Sequence, residues 1–365
     1  MKRLLCLLAA VLVLTVGARA SELPKELTRA MPDGAEELLR GEDFSGTEGF
    51  AGTEGFAGGI AALLERMGGQ IGTILRQRVR GTASILLVVI LCGAVEGFRI
   101  GADGGKTAMF LPMAGALSVT LLTAGSLDSL IGLGAETIGQ LDTFSKALLP
   151  TLAAAMAASG QVSTAAFQQV TTVFLVDLLM DLINGLLLPL VYLYIGVLTA
   201  SACLSESSLP ALAEGLKKAV TWLLATALVA FTVYLSVARV IAGAADGATV
   251  KVAKAAISGA VPVVGSIIAE TAETVLAGAG MLKNTIGVFG TLAILAACAY
   301  PFLQLGVQYL LYKLTAYLAS AVGAPGLCKL IDGLGGAFGL VLGMTGSCAV
   351  LLLVSVLSSV AAVVP

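Results

Sequence analysis

The chain has 365 residues, 58% of them hydrophobic and only 12% charged, with a mean hydropathy of +0.98 and a net charge of −2. A soluble domain carries about a quarter charged residues, and a chain this close to neutral has no basic footprint for nucleic acid. It contains no histidine at all, which removes the commonest general base and metal ligand.

Lys2 and Arg3 precede an apolar run from Leu4 to Val16, and Ala18-Arg19-Ala20 has the form of a cleavage site. That order predicts a secretory signal peptide over 1–20, because the apolar core is shorter than the roughly 20 residues a membrane span needs. Residues 21–80 are more polar, with Pro24, Pro32 and a repeated hexad, GTEGFA at 46–51 and again at 52–57. Glycine at this density predicts a flexible extracytoplasmic region. It closes with a surface helix over Ile60 to Val79 that ends among Arg76, Arg78 and Arg80.

From residue 81 to 365 the chain reads as a polytopic, all-α membrane domain. Eight apolar segments are predicted near 82–98, 108–126, 166–184, 186–204, 219–241, 284–299, 301–320 and 336–361. The first two form a hairpin over 82–126. The others divide into two groups of three, over 148–241 and 260–361. Proline spacing supports that division: Pro150 and Pro189 are 39 residues apart, and so are Pro262 and Pro301. Three spans per copy turn the second copy upside down, so the expectation is an inverted repeat. The third and sixth segments each end at a proline corner, Asn184–Pro189 and Cys298–Pro301. They either cross the bilayer or enter and return as hairpins. With residue 21 outside, the cytoplasmic side receives Arg99, Lys106, Arg239, Lys251, Lys254, Lys283 and Lys329. The outer side receives Lys146, Lys217 and Lys218, and this asymmetry favours an extracytoplasmic N-terminal region.

Few residues inside the apolar segments carry chemistry. Asp177 and Asp181 are four apart, hence on one helix face. Carboxylates at membrane depth are costly, so the pair either borders a cation or solute path or marks the wet face of an interfacial helix. Gln304 and Gln308 also share a face and either line a pore or bond neighbouring helices. Lys313 lies near Tyr309, Tyr312 and Tyr317, a setting in which a lysine snorkels to the interface. Gly335, Gly339, Gly343 and Ser347 recur every four residues, a spacing that lets helices approach closely, within one chain or between copies. Gly101 to Thr107 resembles a phosphate loop, but Ile100 stands where its first glycine is needed, so the segment reads as a turn. Asp246, Glu270 and Glu273 read as part of a solvated loop beside Lys251 and Lys254. The six cysteines form no CxxC pair and no disulfide or zinc framework. No catalytic, cofactor or metal constellation is legible, so the expectation is a protein that is not an enzyme.

Three stretches carry a resemblance: LLPLVYLYIGVLTASACLSE (187–206), GLKKAVTWLLATALVAFTVYLSV (215–237) and KVAKAAISGAVPVVGSIIAETAETVLAGAGMLKNTIGVFG (251–290). They closely resemble the stage III sporulation protein AE family, over about residues 80–360. The resemblance implies a multi-pass protein of the mother-cell membrane around the forespore in endospore-forming bacteria. It implies a complex with the other proteins of the stage III sporulation A operon, among them an ATPase and ring-forming subunits, that meets stage II sporulation protein Q. It implies a channel or feeding apparatus needed for late forespore gene expression. Two other readings stand beside it: a stand-alone secondary transporter built on inverted repeats, and a non-conducting membrane scaffold for the ring proteins.

Overall fold

In a hydrocarbon layer the backbone has no water to pair with, so an apolar stretch must close its hydrogen bonds internally, as helix. The structure, a computed structural model, describes residues 25–32, 35, 52–98, 107–204, 208–260, 265–322 and 325–360. Among them there is no strand. The helices are α1 (Lys25–Arg29), α2 (Gly52–Phe98), α3 (Thr107–Ala158), α4 (Val162–Leu182), α5 (Leu188–Cys203), α6 (Leu209–Ala260), α7 (Gly265–Ala321) and α8 (Pro325–Val360). A π-helical turn, Ile183–Leu187, joins α4 to α5. The predicted signal peptide, the first GTEGFA hexad, the turn before Thr107 and Pro262 lie outside the described residues. Helix α2 begins inside the second hexad and runs unbroken past residue 80. Asp246 stands within α6, and Glu270 and Glu273 within α7, rather than in a loop.

Six stretches of the described chain are long and apolar enough to cross a membrane, against the eight segments expected: Phe56–Val95, Met113–Ala158, Val162–Cys203, Leu209–Val237, Ala277–Ala321 and Pro325–Val360. The difference arises at two prolines that do not turn the chain. At Pro189 the ring would collide with the carbonyl one turn back. The wider π-turn takes up that misfit, with the Leu188 N–H donating to the Ile183 carbonyl. The expected corner at Asn184–Pro189 is therefore a continuation, and segments three and four are one helical run. At Pro301 helix α7 also continues, so segments six and seven are likewise one. Neither the third nor the sixth segment is a re-entrant hairpin. Pro150 is similarly interior to α3.

This fusion changes the symmetry. Each half, 148–241 and 260–361, brings two long apolar helical runs instead of three; if each run crosses once, that even number does not invert a repeat. It also changes the charge count. If each of the six runs crosses once, Arg99, Lys106, Lys217, Lys218 and Lys329 belong to one end of the bundle. Lys146, Arg239, Lys251, Lys254 and Lys283 belong to the other, five against five. The asymmetry that oriented the chain disappears.

The runs are also longer than a bilayer requires. Met113–Ala158 has 46 residues, about 69 Å at 1.5 Å per residue, more than twice a hydrocarbon core of about 30 Å. The C-terminal half of α3 carries a docking surface over Glu136, Gly139, Gln140 and Thr143. There the N-terminal segment docks on α3, with Leu27 fully buried.

Helix α7 is central: 67% of its most apolar stretch is buried, against 17% for α2. It packs along α8, α2 and α3, while α8 also meets α3, α5 and α6. Phe144 of α3 meets Phe289 of α7 with ring centroids 6.5 Å apart, and Tyr312 meets Phe338 edge-on at 5.2 Å. The outer faces are apolar too. Val170, Phe174 and Leu178 on α4, and Trp222, Val229 and Val233 on α6, are all more than half exposed. A continuous apolar exterior of this kind suits lipid rather than water.

Candidate functional site

The polar residues singled out in the sequence fall into two separate groups. The first follows one face of α7. Gln304 and Gln308, one turn apart, are both buried, at 7% and 3% exposure. Gln304 does not face an open pore: its Oε1 accepts a 2.6 Å hydrogen bond from Arg78 Nη2 on α2. One turn beyond Gln308, the Tyr312 hydroxyl donates to Thr123 Oγ1 on α3 at 3.0 Å. Arg78, Gln304, Gln308, Tyr312 and Thr123 thus form a polar column where α2, α3 and α7 meet. Two of its atoms, Arg78 Nε and Gln308 Oε1, are buried without a protein partner. Such groups are costly in a dry interior. One is a donor and the other an acceptor.

The sequence places Arg78 on a surface helix, among three arginines at its end. The structure keeps Arg76 and Arg80 outside and turns Arg78 inward. With 100° per residue, three alternating positions cannot share one face. Only the middle one projects towards α7.

The second group is on α4. Asp177 and Asp181 are both exposed. Asp177 Oδ1 lies 3.0 Å from Lys146 Nζ on α3, and that lysine also holds Asp142 at 2.9 Å. Asp177 therefore meets a partner helix, not bare lipid. Helix α4 packs on α3, α6 and α8 and not along α7, so the aspartates and glutamines are not assembled into one path. Lys146, counted only as a loop charge in the sequence, is the residue that organises this group. The signal was its spacing of four from Asp142.

Lys313 does not snorkel freely. Its ammonium donates to Asp332 Oδ1 of α8 at 2.6 Å and lies 5.8 Å from the Tyr309 ring centre. The small-residue stripe of α8 packs inside the chain. A Cβ on Gly335 would stand 3.0 Å from the Tyr312 Cβ, and one on Gly339 3.1 Å from the Tyr309 ring. Gly343 faces Leu224 of α6 instead, at 3.9 Å, and Ser347 is buried. Four residues advance a helix by about 400°, so each step drifts about 40°. The stripe consequently passes from α7 to α6.

A cavity of about 790 Å3 opens at the end of the bundle where α2 and α5 finish and α3, α6 and α8 begin. Tyr194 stands in its wall, its hydroxyl donating to the Gly333 carbonyl at 2.9 Å. Glu214, Lys217, Lys329 and Asp332 also line it.

Comparison with known proteins places this architecture. The family described as stage III sporulation protein AE has a model that matches residues 57–363. A curated relative, stage III sporulation protein AE of Bacillus subtilis (strain 168), is 28% identical over 212 residues. That alignment covers 58% of this chain and 53% of the relative, so the match spans about half the relative's length. No solved structure matches the chain.

Proposed function

The chain belongs to the stage III sporulation protein AE family, and on that premise we propose that it is a membrane subunit of the channel complex between mother cell and forespore, required for late forespore gene expression. It sits in the mother-cell membrane facing the forespore. Its partners are the other products of the stage III sporulation A operon, the ATPase and ring-forming subunits, and through them stage II sporulation protein Q. The observation that carries the reading is the match of the family over nearly the whole bundle together with six membrane-length apolar runs.

Within that role, the geometry favours a packed platform over a pore inside a single copy. Gln304 is closed by Arg78, Asp177 by Lys146 and Lys313 by Asp332. Gly335 and Gly339 bring α8 close against α7, and Gly343 turns towards α6, which leaves no passage along the stripe. A conduit, on this reading, is completed by partners or by further copies. The test has two arms. Deleting the gene should abolish late forespore reporter expression, and complementation should restore it. The purified chain in liposomes should pass no small solute alone, yet retain the ring subunits on co-purification. Flux through the chain alone would establish the stand-alone transporter instead, and normal late expression after deletion would remove the sporulation role.

A further inference from the structure

The end cavity carries a charge imbalance that the packing of the bundle does not explain. Two of its acids are occupied by neighbouring lysines: Lys218 holds Glu214 at 2.8 Å, and Lys313 holds Asp332 at 2.6 Å. Among the described residues, Lys217 and Lys329 then stand in the wall outside any salt bridge. Lys217 is turned inward rather than out to solvent. Its Nζ lies 3.3 Å from the position a Cβ would take on Gly336, and the Tyr194 hydroxyl lies the same distance from that point. The only thing that lets both groups approach α8 so closely is the missing side chain of Gly336. Much of the rest of the wall is apolar, with Leu111, Leu198 and Leu327 among the lining residues. Helices α6 and α8 both start at this cavity, so their first free N–H groups and dipoles add positive potential at its rim.

We infer that this cavity binds the phosphate group of an anionic phospholipid, with Lys217 and Lys329 on the phosphate and an acyl chain against the leucine wall. Two lysines suit a phosphate as point charges, while the Tyr194 hydroxyl, which donates to the Gly333 carbonyl, borders the site. A volume of about 790 Å3 is far more than a bare inorganic anion fills. A cavity at the end of apolar helices, cationic at the rim and apolar within, matches an amphiphile in both halves. Basic pockets between transmembrane helices recognise lipid head groups in this way.

The test is native mass spectrometry of the whole chain in neutral detergent, titrated with phosphatidylglycerol, phosphatidylcholine and inorganic phosphate. One phosphatidylglycerol should bind in preference to phosphatidylcholine. The Lys217→Gln, Lys329→Gln double variant should weaken it at least about tenfold, whereas Lys146→Gln, which removes a cation elsewhere on the bundle, should not. Gly326→Asp provides a second variant that does not depend on removing a lysine. Nothing lies within 4 Å of a Cβ there, and an acidic residue suits the first turn of α8, so the protein should fold while the anion is repelled. Equal binding of both lipids, equal weakening by Lys146→Gln, or saturation of the site by inorganic phosphate at the same affinity would each overturn the inference.

Discussion

Arg78 is a half-buried guanidinium with no carboxylate beside it, held through one hydrogen bond to a neutral glutamine. Hydrogen bonds to charged groups contribute about 1.5–3 kcal/mol, and a buried group left alone loses a similar amount. A double-mutant cycle of Arg78→Met and Gln304→Met, read as unfolding free energy in bicelles, should therefore give a coupling of about 1–2 kcal/mol. Strict additivity would mean that α2 and α7 are not joined there. The exposed aspartates call for the opposite expectation. The pair of Lys146 with Asp177 is open to solvent or head groups on both sides, at 52% exposure each, and such pairs are worth about 0–1 kcal/mol. The double Asp177→Asn, Asp181→Asn variant should insert, keep its melting temperature within a few degrees and support late forespore expression. A stably inserted variant that blocks expression would return these residues to a conduit role.

At the scale of the helices, α7 and α8 touch through glycines, and the cost of enlarging them should follow the distances. Gly339 faces the Tyr309 ring at 3.1 Å, while Gly343 has only Leu224 at 3.9 Å. Overpacking costs about 1–3 kcal/mol where neighbours cannot move. Gly339→Leu should lower thermal stability clearly, and Gly343→Ala should leave it nearly unchanged, both checked by melting in detergent. Equal effects would place the stripe on a single face and reopen self-association through it. The two fused runs teach a related lesson. Proline marks a helix end in sequence because it lacks a donor and crowds the preceding turn. Pro189 and Pro301 stay inside helices, the first beside a π-turn that makes room and the second on the most enclosed helix of the bundle.

For the molecule as a whole, the bundle depends on α2 and α7 lying side by side although more than 150 residues separate them along the chain. A Cβ on Gly93 would lie 3.7 Å from the Val322 Cβ, within the usual range for a disulfide, about 3.5–4.5 Å. Gly93→Cys with Val322→Cys, in a chain stripped of its native cysteines, should cross-link within one molecule on mild oxidation. Failure to form that bond in lipid would show that α2 docks elsewhere. Topology gives a second check at this scale. Six crossings put residues 45 and 258 on the same side, so single cysteines at Ser45 and Ser258 should react together or not at all with an impermeant thiol reagent. Labelling of one without the other would restore the odd crossing that eight segments require.

Composition and hydropathy alone point to a helical membrane protein, because long unbroken apolar runs close their backbone hydrogen bonds as helix, whereas barrel strands alternate in hydrophobicity. The wording of 187–290 was enough to point to the family. The sequence also singled out Asp177, Gln304, Gln308 and Lys313, since charge and amide groups are rare in such surroundings. It did not determine what they face. Arg78 finds Gln304 across 226 positions, Asp177 finds Lys146 through a tight turn, and Lys217 reaches Gly336 from another helix. Periodicity assigns a residue to a face of its own helix but does not say which neighbour covers that face. The number of spans was beyond it for the same reason: whether a proline turns or merely strains a helix depends on the packing around it, and packing is a property of the assembled bundle.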